Sequence, residues 1–346
     1  MTLGKLGKFC LLGLMLSLLG AATAVRADSA RNAWVVTSTN AAKNQLLVYN
    51  FSGKLVQTLS TQGQGGASGN SGGIDADRGL VAVVNFGSKT VAIFERWDDG
   101  GLHFKQLVPA ASSPLSVAFG HDHLYILGAT TVESHRLFGS DTSVGADGVV
   151  TLLKADGSAA QVGVLPNQLI ITEKSNTIET VNLLPNGAVS GFPTRVANIP
   201  SNVNAPFGLI TRGNDAYVTI AHANEITLVR NGTVLTVTGS GTQNAPCWLA
   251  LVGPFLYSSN SPSMSVSRYA VYGQKIVQDA AVAASFNGAP TDIASGEGLV
   301  AVIDGSGMLS HLSIFSIDED GNLTLRSVNT IGGAANGVAV VRGDRD

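Results

Sequence analysis

The chain has 346 residues, 45% of them hydrophobic, 13% charged and 6% aromatic, with a formal net charge of −3 and 41 glycines. About 25% charge and roughly 24 glycines would be ordinary for this length, so the low charge excludes a disordered polyelectrolyte. The near-neutral balance, with no Lys/Arg stripe, speaks against nucleic-acid binding.

The first predicted element is a leader. Lys5 and Lys8 precede an apolar run from Phe9 to Ala24, and Ala22-Thr23-Ala24 and Val25-Arg26-Ala27 both offer small or apolar residues at cleavage positions. This pattern predicts a secretory signal peptide over 1–27, cut after Ala24 or Ala27. The run is short for a membrane span. The expected product is therefore an exported (periplasmic or secreted) domain over 28–346, with no membrane insertion after cleavage. Of the two cysteines, Cys10 leaves with the leader, and Cys247 lies in an apolar strand-like run. No intramolecular disulfide can form in the remainder, and Cys247 is expected to be a buried, inert thiol.

From there on, a short β-type run ending in a polar or small residue recurs seven times. The copies are Val35–Asn40, Leu80–Asn85, His123–Gly128, Gln168–Glu173, Tyr217–His222, Phe255–Asn260 and Leu299–Asp304. Their ends are 45, 43, 45, 49, 38 and 44 residues apart. That is the period of a four-stranded propeller blade. Pro114, Pro246 and Pro290 each stand 14 residues before the end of a copy and open another apolar run. Proline fits the first residue of a strand because its missing N–H lies outside the ladder. After each copy comes an alternating run, such as Thr90–Phe94 or Glu225–Val229, and then a glycine turn. The turns include Ser52-Gly53, Gly100-Gly101, Asp147-Gly148, Asn186-Gly187, Asn231-Gly232 and Asp320-Gly321, which mark hairpins. The first copy has too little chain before it for an inner strand of its own, and Asn336–Val341 is an unclaimed apolar run. The prediction is an all-β, seven-bladed propeller of four-stranded antiparallel blades, closed by the C-terminal strand joining the first blade.

Several motifs have plainer readings. Gly69–Gly73 satisfies G-x-S-x-G, but no helix follows to make a nucleophile elbow, so it is expected to be a flexible link between blades. Asp318–Asn322 lacks the distal Glu of a calcium loop and matches the other hairpin turns. His121 and His123 have no third ligand in view. No metal site and no cofactor are expected. If every copy ends on one face, Asn40, Asn85, Glu173, His222, Asn260 and Asp304 form a polar, ligand-binding ring there, with Gly128 as a gap. The competing reading is that Asn and Asp satisfy turn backbone. Glu173 and His222 fall in adjacent blades, and a neighbouring carboxylate favours a charged imidazole.

The segment Leu80–Phe94 (LVAVVNFGSKTVAIF), followed by Gly101-Leu102, resembles the seven-bladed propeller lactonases. These are the 6-phosphogluconolactonase-like and carboxymuconate-cyclase-like proteins, together with their non-enzymatic exported relatives. The resemblance implies channel-facing His, Glu and Arg residues and a His-Pro step into the inner strands. Here those steps read Ser113-Pro114, Ala205-Pro206, Ala245-Pro246 and Ala289-Pro290. Glu173 and His222 are the acid/base candidates that remain for lactone opening. The expectation is a monomeric exported protein that binds a small molecule or a protein partner without catalysis. The alternative is a lactonase or cyclase-like enzyme.

Overall fold

The computed structural model describes residues 32–199 and 205–342, so the leader region lies outside the described residues. Seven antiparallel sheets stand around a central axis. Blade 1 runs from inside to outside as Asn336–Val341, Trp34–Ser38, Gln45–Asn50 and Leu55–Ser60. Blade 2 begins at the inner strand Ile74–Asp77, blade 3 at Pro114–Gly120 and blade 4 at Ala159–Val164. The inner strands of blades 5, 6 and 7 are Pro206–Arg212, Pro246–Val252 and Ala289–Gly296. The C-terminal strand pairs with Trp34–Ser38, Trp34 facing Val341 and Thr37 facing Val338. The ring is closed as the repeat predicts. Among the described residues the only helical turn of a propeller connection is the 3-10 segment Ala221–Ala223.

The seven repeated runs are the second strands. They are nearly continuous apolar sequences because each is covered on both faces by its neighbouring blades. Leu80–Asn85 is buried along its whole length. Tyr125 and Tyr257 occupy matching positions in blades 3 and 6, and each reaches into the next blade. Their hydroxyls donate to the hairpin carbonyls of Gly187 at 2.8 Å and Gly321 at 2.6 Å. Burial pushes the Tyr257 phenol up to about 12. Those hairpins need glycine for their backbone. Gly187 sits at φ +93° and Gly321 at +76°, where other residues are strained.

Blade 3 departs from the pattern. Its third strand, Thr131–Phe138, runs into a small hairpin with Asp141–Thr142, and only then does Gly148–Thr151 return as the outer strand. Asp147-Gly148 therefore ends a longer loop instead of forming a two-residue turn. Asp147 anchors that loop, accepting from Ser134 Oγ at 2.6 Å and lying 2.8 Å from His123 Nε2. His123 Nδ1 is held by the His121 carbonyl, so both histidines of that sequence pair are committed to backbone and turn contacts. Asp318 likewise accepts from the amides of Asp320 and Asn322, as a turn cap does.

Candidate functional site

Inner strands begin, and second strands end, at the same end of the ring, here called the top. The sequence predicted a polar ring at this end. The structure places its members there but gives them different surroundings. Asn85 is fully buried, where it accepts from Asn44 Nδ2 at 3.0 Å and Thr61 Oγ1 at 2.7 Å. Asn260 is fully buried and donates to Ser267 Oγ at 2.8 Å. Asn40 sits just past its strand at φ +53°, and its side-chain oxygen accepts from the amides of Gly66 and Ala67. These three side chains hold turns and connections together.

Glu173 is also sealed from solvent. One carboxylate oxygen accepts the Lys154 amide at 3.0 Å, and the other has no partner. Glu179, on the next strand, accepts the adjacent Leu153 amide at 2.9 Å and likewise keeps one unpartnered oxygen. Burial, with the Glu179 carboxylate beside it, pushes Glu173 up to about 8, and burial pushes Glu179 up to about 7. Glu133 occupies in blade 3 the position that Glu179 holds in blade 4, and it accepts the Ala111 amide in the same manner. These glutamates therefore cap the connections that enter their own blades.

His222 does not join Glu173. The second strand of blade 5 ends at Ile220, which faces Pro206 across the inner pair, so Ile220 occupies the ring position. The chain then turns through Ala221–Ala223 and leaves His222 exposed. Among the described residues no hydrogen bond or ion pair links His222 to Glu173. The irregular spacings of 49 and 38 residues were the visible sign of this two-residue offset.

Asp304 is the ring member with a histidine. It faces His311 directly across the hairpin, with Oδ1 3.1 Å from Nδ1. The pair opens onto a cleft of about 380 Å³ between blades 6 and 7. Phe286, Phe315, Leu325 and Val328 supply much of its apolar wall. A Cβ at Gly288 would lie 2.5 Å from Asp304 Oδ1, so glycine is what lets the carboxylate occupy that place. Sequence reasoning missed His311. The signal was present in the hairpin centred on Gly307-Met308, which puts residues 304 and 311 opposite each other.

The top of the central channel is closed. The segment Gly69–Gly73 is the expected connection between blades 1 and 2, but it packs across the axis instead of hanging free. The Ser71 amide donates to the Ala160 carbonyl at 3.1 Å, and the Trp248 indole N–H donates to the Asn70 carbonyl at 3.0 Å. Asn70 and Asn336 exchange two side-chain hydrogen bonds, and Lys174 Nζ donates to the Gly69 carbonyl. Blades 1, 4 and 6 are thereby tied to one loop. The absence of a Cβ makes the crossing feasible, because one at Gly73 would meet Asn336 Oδ1 at 2.5 Å.

Beneath this plug a cavity of about 290 Å³ follows the axis. Its walls are the inner strands, whose exposed edges need partners for their amides. Neighbouring blades supply them. Asp75 of blade 2 accepts the Phe119 amide of blade 3 at 2.8 Å, and Gln161 of blade 4 accepts the Leu209 amide of blade 5 at 2.6 Å. Asp292 of blade 7 accepts the Ile293 amide at 2.9 Å, and the Val338 and Gly72 amides and the Ser71 hydroxyl lie near enough to favour its charged form. Burial still pushes Asp75 up to about 6 and Asp292 to about 7. The residues lining the cavity include no Lys, Arg or His.

The axis is thus plugged, and the fold is a seven-bladed β-propeller. Solved structures share it across most of their length. A functionally unknown protein from Desulfotomaculum acetoxidans superposes with a TM-score of 0.69 at 15% identity, covering 90% of this chain and 99% of that one. A proposed 6-phosphogluconolactonase from Bacteroides fragilis gives 0.64 at 14% identity, covering 90% and 98%. Virginiamycin B lyase from Staphylococcus aureus gives 0.53 at 14% identity, covering 75% and 84%. No family model and no curated protein matches the sequence. Neighbours this diverse establish architecture, while function depends on the site each protein builds on it.

Proposed function

We propose that this protein is an exported propeller that binds a small ligand or a protein partner and does not catalyse a reaction. The observation that carries this reading is the separation of the acid/base candidates. Glu173 is sealed against the Lys154 amide, while His222 stands exposed on a different blade. Lactone opening needs a base within about 3 Å of the attacking water and donors aimed at the developing oxyanion. The plug over the axis and the lack of a cationic side chain in the cavity beneath it add support. Protein recovered from the exported fraction should begin at Val25 or Asp28 by mass spectrometry, and a start at Met1 would refute export.

A second reading, lactone hydrolysis, is favoured by one feature: Asp304 orients His311 as it would orient a general base. The two readings separate in a single assay. Under the binding reading, the purified protein opens simple sugar lactones no faster than buffer does, and Glu173→Ala or His222→Ala changes nothing. Turnover that His311→Ala abolishes, with the fold intact, would establish the enzyme instead.

A further inference from the structure

We infer that the cleft between blades 6 and 7 is a pocket for a small aromatic or alkyl alcohol, whose hydroxyl donates to Nε2 of His311. The inference rests on the ligand-binding reading and names the ligand class. The cleft, about 380 Å³, lies in the range of small-molecule sites. Phe286 and Phe315 meet edge to face, with centroids 6.0 Å apart, and form one wall. Leu325 and Val328 line the cleft while remaining 52% and 55% exposed, so apolar surface is available to an incoming ring.

The polar end of the cleft selects the head group. A carboxylate can only accept, so Asp304 fixes the hydrogen of neutral His311 on Nδ1. Nε2 is left with its lone pair, and no protein group among the described residues bonds it. A ligand hydroxyl can donate to that nitrogen, whereas an ether cannot. A carboxylate ligand would bring a second negative charge toward Asp304, and no Lys or Arg lines the cleft to compensate. An alcohol on an apolar body matches both ends of the site.

The probes are 2-naphthol, its methyl ether 2-methoxynaphthalene and the anion 2-naphthoate, titrated calorimetrically at about pH 8. The expected result is 2-naphthol binding about tenfold tighter than the ether, with 2-naphthoate weakest. His311→Phe should erase the preference for 2-naphthol over the ether. Val328→Trp, at an exposed rim position that leaves the core untouched, should fill the cleft and weaken all binding. Equal affinity for alcohol and ether, tighter binding of the anion, binding insensitive to Val328→Trp, or no binding of any probe would overturn the inference. None of those outcomes produces lactone turnover, which is the separate result that defeats the non-catalytic reading.

Discussion

A chain ending at Gly332 is expected to melt at least roughly 10 °C below the full protein, or to be recovered only as aggregate. The truncation removes Asn336–Val341, the inner strand of blade 1. That strand contributes Val338, Ala339 and Val341, all less than a tenth exposed, to the packing on both sides of blade 1. It also accepts two hydroxyl hydrogen bonds of 2.7 Å, a buried one from Thr37 Oγ1 to the Gly337 carbonyl and a part-buried one from Ser38 Oγ to the Asn336 carbonyl. Without it, Asp292 loses the Val338 amide and Asn70 loses both bonds to Asn336. The plug and the blade 7–blade 1 seam therefore loosen together, and an unpaired strand edge is exposed. A control chain ending at Arg342 keeps every one of these contacts and should melt like the full protein. Scanning calorimetry on the two truncations decides the matter, and equal melting temperatures would show that the C-terminal strand does not close the ring in solution.

Stability is expected to fall as pH rises from about 5 to about 8.5, with buried carboxyls as the cause. Glu173, Glu179, Asp292 and Asp75 have folded-state values of about 8, 7, 7 and 6. Each lies above the ordinary carboxyl range near 4. The folded protein thus holds protons that the unfolded chain has released. Their contribution is complete below about pH 4 and is lost as pH climbs through the folded values. The opposite trend comes from Asp99, Asp147 and Asp156, whose hydrogen bonds hold them below the usual range. Their contribution is present above about pH 4 and disappears as pH falls further. These groups are more exposed, so their weight is small. A stability maximum near pH 5 follows. Glu179→Gln should gain roughly 1–3 kcal/mol over the parent near pH 8.5 while changing little at pH 5, because a neutral amide replaces a carboxylate that must ionise in a sealed site. Urea titrations of parent and variant across this window measure the difference. A parent whose stability is flat with pH, or a Gln variant with an unchanged slope, would mean that these carboxyls reach water.

Much of the architecture was legible because it is written in local chemistry. Proline at the first residue of inner strands such as Pro114 and Pro246, the apolar second strands and the glycine hairpins each constrain only a few neighbouring residues. Their roughly 44-residue recurrence could be read directly from the chain. The closing strand was legible too, since an apolar run without a partner at one terminus matched a missing strand at the other. The insertion in blade 3 was not, because Asp147-Gly148 has the same chemistry at the end of a loop as in a two-residue turn.

The candidate site was legible in position but not in role. Asn85 and Asp304 occupy equivalent positions in their second strands, and nothing local distinguishes a side chain that holds a turn from one that faces a cleft. Packing between blades makes that distinction. Asn85 meets Asn44 and Thr61 and is spent on them, whereas Asp304 meets His311 beside the gap left by Gly288. Glu173 became a buried cap because the connection carrying Leu153 and Lys154 passes over it and its neighbour Glu179. The glycine-rich Gly69–Gly73 segment became a plug because partners from distant blades, among them Trp248, Lys174 and Asn336, converge on it. The sequence by itself determined the repeat, the strand order and the closure, since hydrophobic alternation and turn geometry act between near neighbours. Only the tertiary structure decided which polar side chains are sealed and which face a cavity, because burial and hydrogen-bond supply there come from residues up to 300 positions away.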